Sequence, residues 1–210
     1  AVDANGKLAA WQNHFVSFTT DGKGSSRGAN IRDTEFPLQN VPESRLSQTL
    51  LPLWVPTGYW RAPGSCAIAW VTQSFLHELS HAAGRDHLEF LLEVMGPAKW
   101  FKEGDLWSLN TGRAAAVIKL AAEKIGWGKI QPEGRGLGLA FHFSHAGHFA
   151  HAADVSVDDA QLVTVHRVVV AGDVGPILNR SGGENQIEGS VVGGLSTMAA
   201  QEITFVGGGV

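Results

Sequence analysis

Residues 75–90 read "FLHELSHAAGRDHLEF", and five of them have types and spacing that could do chemistry: His77, Glu78, His81, Gly84 and His87. Two histidines four apart share one face of a helix and can hold a single zinc ion. Glu78 could then act as general base on a zinc-bound water, Gly84 would let the chain turn back, and His87 would be the third ligand. That chemistry is peptide hydrolysis by an activated water.

The elements that must position these residues complicate the reading. Ile68, Val71, Phe75, Leu79 and Ala82 recur at helical spacing and predict an amphipathic helix from about Ala67 to Ala83. At about 100° per residue, His77 and His81 fall opposite that stripe, near Trp70 and Ser74. Asp86 with Glu89 three residues on is a capping box, and Leu88, Leu91, Leu92 and Met95 continue at helical spacing. A second helix therefore starts at once, with His87 in its first turn. The string resembles the zinc signature of the metzincin peptidases, but there the third histidine sits on an irregular segment leading to a methionine-containing turn. Met95 lies on a helix face instead, which weakens the zinc reading.

The totals bound the rest. A chain of 210 residues, 44% hydrophobic and 17% charged with formal net charge −4, suits one good-sized core or two modest domains. No Lys/Arg run stands out, which argues against nucleic acid. The single cysteine, Cys66, excludes an internal disulfide framework and reads as a small buried residue. No apolar stretch reaches membrane-span length, and the opening "AVDANGK" is not a signal peptide. The 26 glycines suggest either a turn-rich β domain or close backbone approach to a ligand.

Along the chain, "KLAAWQNHFVSFTTDG" reads as one or two strands. Prolines at 37, 42, 52, 56 and 63 forbid a long helix there and leave "FPLQNVPESRL" and "LPLWVPTGYW" as extended pieces. "RAAAVIKLAAEKIG" is a helix capped near Asn110 or Thr111 and stopped by Gly126. "GLGLAFHF", "HFAHAADVSVD" and "QLVTVHRVVVAGDVG" predict consecutive antiparallel strands, then "GGENQIEGSVVGGLSTMAAQ" a glycine-containing helix and "EITFV" a last strand. Ending straight after a strand suggests a fragment. His142, His145, His148 and His151 recur every third residue, but side chains alternate faces along a strand, so four converging metal ligands are not expected.

Four stretches carry a resemblance to one family: "GYWRAPGSCAIAWVTQSFLHELSHAAGRDHLEFLLEVMG", "NTGRAAAVIKLAAEKIGWG", "GRGLGLAFHFSHAGHFAHAADVSV" and "VTVHRVVVAGDVGPILNRSGGENQIEGSVVGGLSTMAAQEITF". The chain resembles the molybdenum-binding large subunits of the xanthine dehydrogenase and aldehyde oxidase family, nearest the branch formed by the isoquinoline 1-oxidoreductase β-subunits. Members commonly carry a "DELA-H-AAG-D-P" pattern in the first helix. Glu78, His81 and Gly84 then come with the family, and only His77 and His87 are needed to complete the zinc string.

The resemblance implies an α+β fold of antiparallel β-hairpins with packed helices. Residues 1–130 would be part of a first molybdenum-cofactor-binding domain and residues 131–210 part of a second. It implies an oxidoreductase that hydroxylates an aldehyde or aromatic N-heterocycle with oxygen from water, and a molybdopterin cofactor, in the bacterial branch usually the cytosine dinucleotide. It also implies a small [2Fe–2S] subunit that takes the electrons. Arg61, with Ala62 and Gly64, matches the arginine loop against the pterin; a guanidinium offers planar charged donors to an anion. Gln186 matches the glutamine that bonds the pterin, and Gly182 and Gly183 would present free N–H groups where the helix begins. Gly189, Gly193 and Gly194 would allow close packing on a neighbour or the cofactor.

The resemblance places the catalytic glutamate and the N-terminal half of the subunit outside these residues, so no catalytic residue is assigned and Glu202 is not that base. Alone, the chain is expected to be inactive. Two other readings stay open: a zinc endopeptidase using His77, His81 and His87 with Glu78 as base, and a non-catalytic remnant able to dimerise through its last strand. Substrate, electron acceptor and compartment, bacterial cytoplasm or periplasm, are not fixed.

Overall fold

The computed structural model describes residues 1–26, 30–53 and 58–207, so the middle of "LPLWVPTGYW" lies outside the described residues. Packing divides the chain into two compact units, Ala1–Asp173 and Val174–Val210.

In the first unit, strand β1 (Ala10–Thr19) pairs in parallel with β2 (Glu43–Pro52). One strand therefore forms where the sequence allowed one or two. "FPLQNVPESRL" divides into a 3-10 turn at Leu38–Asn40 and the start of β2.

Helix α1 (Ser65–Ala82) is followed by α2 (His87–Met95) and α3 (Thr111–Ile125). Their ends follow local rules. The Asp86 side chain accepts from Glu89 N at 3.0 Å, and that of Asn110 accepts from Arg113 N at 3.1 Å. Gly126 takes a left-handed φ of 85° to close α3.

Three antiparallel strands follow: β3 (Arg135–Ser144), β4 (Gly147–Val157) and β5 (Val163–Asp173), in the order β3-β4-β5. The β3–β4 turn has φ of 51° at His145 and 64° at Ala146. That double left-handed conformation is the hairpin turn usually built from Asn-Gly.

One face of this sheet, Leu139, Phe141, Ala150, Ala152 and Ala171, joins Leu76, Phe90, Met95, Ala114, Ile118 and Trp11 in a single core. Helix α3, before residue 130, and the hairpins after it share that core. Arg113 of α3 makes a two-pronged ion pair with Asp173 of β5, at 2.7 and 2.6 Å.

Side chains from α1 and α2 cover the outer edge of β3. Phe141 N donates to Gln73 Oε1 at 2.9 Å, Leu139 O accepts from His87 Nε2 at 3.0 Å, and Ser65 and Ser144 hydroxyls lie 3.0 Å apart. This requirement sets the face that α1 buries. Ile68, Thr72, Gln73, Leu76 and Ser80 are inside, while Val71, Phe75 and Ala82, expected in the apolar stripe, are exposed. The helix is turned by about one residue from its hydrophobic periodicity, with Gln73 on the buried face serving the strand edge and Ser80 reaching it through His87.

The second unit is dominated by α4 (Arg180–Ala200), none of whose residues is buried. "EITFV" does not form a strand: residues 201–205 are irregular and Val206 makes an isolated bridge. Its β-branched and aromatic composition favours a strand only where a neighbour completes the ladder.

Candidate cofactor-binding site

Helix geometry takes the zinc string apart. His87 is buried at 3% exposure, and both ring nitrogens are engaged: Nε2 donates to Leu139 O, and Nδ1 lies 3.1 Å from Ser80 Oγ. Burial, with His77 adjacent, lowers its pKa to about 4, so the ring is neutral at pH 7. The Ser80 hydroxyl also bonds His77 O at 2.7 Å, so its single proton faces two acceptors. His77 stacks on His87, centroids 4.3 Å apart and planes 24° from parallel. Lone pairs on stacked rings point alongside one another rather than at one ion. His81 and Glu78 are exposed. Among the described residues, no group of three or more His, Cys, Asp and Glu side chains is placed to hold a metal.

Arg61, Ala62 and Gly64 form the turn that leads into α1. Ala62 has φ of 55° and Gly64, at the N-cap, φ of 76°. A left-handed alanine is uncommon and marks a turn held by its surroundings. Gly64 supplies no side-chain cap, while its carbonyl accepts from Ile68 N at 3.1 Å. Arg61 is exposed and makes no hydrogen bond or ion pair among the described residues, so its guanidinium can meet an external anion. Cys66 is exposed, against the expectation of a small buried residue.

The glycine pair is placed otherwise than expected. Helix α4 begins at Arg180, capped by Asn179, whose side chain accepts from Gly182 N at 2.9 Å and whose carbonyl accepts from Gly183 N at 3.0 Å. The two amides are therefore already bonded and not free to seat a ligand. A Cβ on Gly182 would lie 2.9 Å from Asn179 Nδ2, so the cap itself accounts for that glycine. Sequence reasoning misses Asn179, although an asparagine three residues before a glycine amide is an N-cap signal. Gln186 is exposed one turn on. Among the described residues, nothing outside α4's own backbone lies within 4 Å of where a Cβ on Gly189 or Gly194 would stand.

The hairpin histidines diverge. His148 is buried on the core face and accepts from Asn110 N at 3.2 Å. His142 stands on the opposite face with a buried Nε2 that has no partner among the described residues. His145 sits in the turn, edge-on to Trp107 at 6.2 Å. Burial lowers the pKa of His142 and His148 to about 4, and lowers that of His151 too.

Arg61 and Gln186 are each exposed polar side chains. The amides of Gly182 and Gly183 do not fit an anionic cofactor while Asn179 caps the helix. Arg61 lies in the first unit and Gln186 in the second.

Residues 110–210 match a family described as a molybdopterin cofactor-binding domain. The chain is 27% identical over 190 residues to one of the subunits of nicotinate dehydrogenase from Pseudomonas putida, covering 82% of this chain and 15% of that protein. It is 27% identical over 159 residues to a membrane-bound aldehyde dehydrogenase (pyrroloquinoline-quinone) of Gluconacetobacter polyoxogenes, covering 72% and 20%. To the beta chain of isoquinoline 1-oxidoreductase from Brevundimonas diminuta it is 25% identical over 174 residues, covering 80% and 20%. The aligned parts thus make up 15–20% of the curated relatives.

Proposed function

We propose that this chain is part of a molybdenum-binding subunit of the xanthine dehydrogenase family and that it contributes residues to the cofactor site of a molybdenum hydroxylase. The observation that carries the proposal is the match over residues 110–210, which takes in α3, the three hairpin strands and α4 as one stretch. The match begins before residue 130, just as the core shared by α3 and the hairpins does. As part of the same proposal, two successive cofactor-binding domains contribute to the chain, and the boundary expected at residue 130 lies before α3, near residue 110.

The cofactor would be a molybdopterin in its cytosine dinucleotide form, and when bound it supplies two-electron oxidation with oxygen taken from water. The complete protein would convert a substrate C–H and a water into C–OH, releasing two protons and two electrons. A small [2Fe–2S] partner would accept the electrons. The substrate class is an aldehyde or an aromatic N-heterocycle.

This chain's own residues would hold and orient. Arg61 would offer its planar, charged guanidinium to an anionic group of the cofactor, from the turn that holds the left-handed Ala62 and Gly64. Gln186 donates and accepts through its carboxamide. Gly182 lets Asn179 close on the first turn of α4, so the helix that carries Gln186 starts at a fixed point.

The test is molybdenum content by elemental mass spectrometry on the complete subunit, produced with its partner. Arg61→Ala with Gln186→Ala should lower bound molybdenum severalfold while the protein remains folded. Full occupancy in the double variant would remove these residues from the cofactor site. Failure of the unaltered subunit to oxidise any aldehyde or N-heterocycle would overturn the activity.

A further inference from the structure

A cavity of about 230 Å³ opens in the first unit, away from the Arg61 turn, between the N-terminal segment and the end of α2. Its floor is apolar: Leu8, Phe90 and Met95 are buried members of the core. Its rim is charged. Lys7 and Lys99 line it with Glu93, but the Glu93 carboxylate is already bound by Arg85 at 2.8 Å, with Lys7 at 3.7 Å. Asp3 also interacts with Lys7 and Arg85, so these two cations face two carboxylates. Lys99, its ammonium 4.1 Å from the Phe101 ring centroid, has no carboxylate paired with it among the described residues and leaves one net positive charge at the mouth.

The wall contributes a third feature. Asn40 uses its Nδ2 to donate to Met95 O at 3.2 Å, and its buried Oδ1 has no partner among the described residues. A buried acceptor without a donor costs free energy that an occupant bearing an N–H can recover after a small rotation of the amide plane.

We propose that this cavity binds a small carboxylate that carries an apolar body and one N–H donor. The apolar body rests on Phe90, Leu8 and Met95, the N–H meets Asn40, and the carboxylate faces Lys99, with Lys7 beside it. At the packing density of a protein interior the volume admits roughly a dozen non-hydrogen atoms, a fragment-sized ligand. An occupant of that size binds with a dissociation constant on the order of 1 mM. The proposal is independent of the molybdenum cofactor.

The chain holds its own reporter pair. Of its two methionines, Met95 lines the cavity and Met198 lies in α4. Hippurate, which has a phenyl ring, an amide N–H and a carboxylate, is the probe. It is titrated into the full chain carrying ¹³C-methyl methionine. The Met95 methyl resonance should shift saturably while that of Met198 stays fixed. Hippurate methyl ester, which lacks the charge, and the Lys7→Gln/Lys99→Gln variant should each weaken binding fivefold or more. Benzoate, without the N–H, should also bind more weakly. An unmoved Met95 methyl at about ten times the expected dissociation constant would overturn the proposal. So would equal, unsaturating shifts at both methyls, or unchanged affinity in the double variant.

Discussion

His77 of α1 stacks on His87 of α2, ring centroids 4.3 Å apart and planes 24° from parallel, and the contact locks the two helices across the short Gly84 turn. Beneath that stack, His87 joins α2 to Ser80 of α1 and to the edge of β3.

Removing the ring should therefore be costly. His87→Ala leaves Leu139 O without its donor and opens a cavity in a closely packed region, an expected loss of about 2–4 kcal/mol. His81→Ala, on an exposed ring one turn away, should stay within about 0.5 kcal/mol of the unaltered chain. Urea denaturation of both variants makes the comparison.

Acid should destabilise the first unit well above the usual carboxylate range. His87, His142 and His148 have folded pKa values near 4, below the ordinary 6.5, because burial opposes the charged ring. The unfolded chain thus binds more protons between those two values, so the stability these rings confer is complete above about pH 6.5 and is lost as pH falls towards 4. The slope approaches about 1.4 kcal/mol per pH unit for each ring in that window. Denaturation midpoints at pH 7.5, 6 and 5 should fall in that order, and His87→Ala should flatten the decline.

The divergent placement of the histidines forecasts metal content. Elemental mass spectrometry on the purified chain should find well under one zinc per chain, and His81→Ala should leave that figure unchanged. One zinc per chain, lost in that variant, would restore the peptidase reading.

Gly172 on β5 lies against the Phe149 ring of β4, and a Cβ there would stand 2.7 Å from Phe149 Cε1. Gly172→Ala must move that ring and should cost about 1–3 kcal/mol of stability, read as a lower thermal midpoint. Phe149→Leu with Gly172→Ala should recover part of the loss.

What the sequence disclosed was local. The Asp86 and Asn110 caps, the Gly126 stop and the three hairpin strands rest on interactions within a few residues, and each stands where periodicity and cap chemistry put it. What it concealed was tertiary. Gln73 is buried on α1 because a strand edge 68 residues further along the chain needs a partner, and no hydropathy pattern contains that demand. The parallel pairing of β1 with β2 likewise depends on a return of the chain between them. In the candidate site, Arg61 and Gln186 are legible only through family resemblance. The Asn179 cap that occupies the glycine amides, by contrast, is written in the spacing itself.

The side chains lying along β3 give the three-stranded sheet a polarity of growth. Gln73 and His87 occupy main-chain positions that an incoming strand would need, so docking there requires displacing buried polar contacts. Strand β5, with no strand beyond it among the described residues, presents the opposite rim. In the folded chain the side chains of α1 and α2 thus cover the β3 side, and a segment extending this sheet would have to join it on the β5 side.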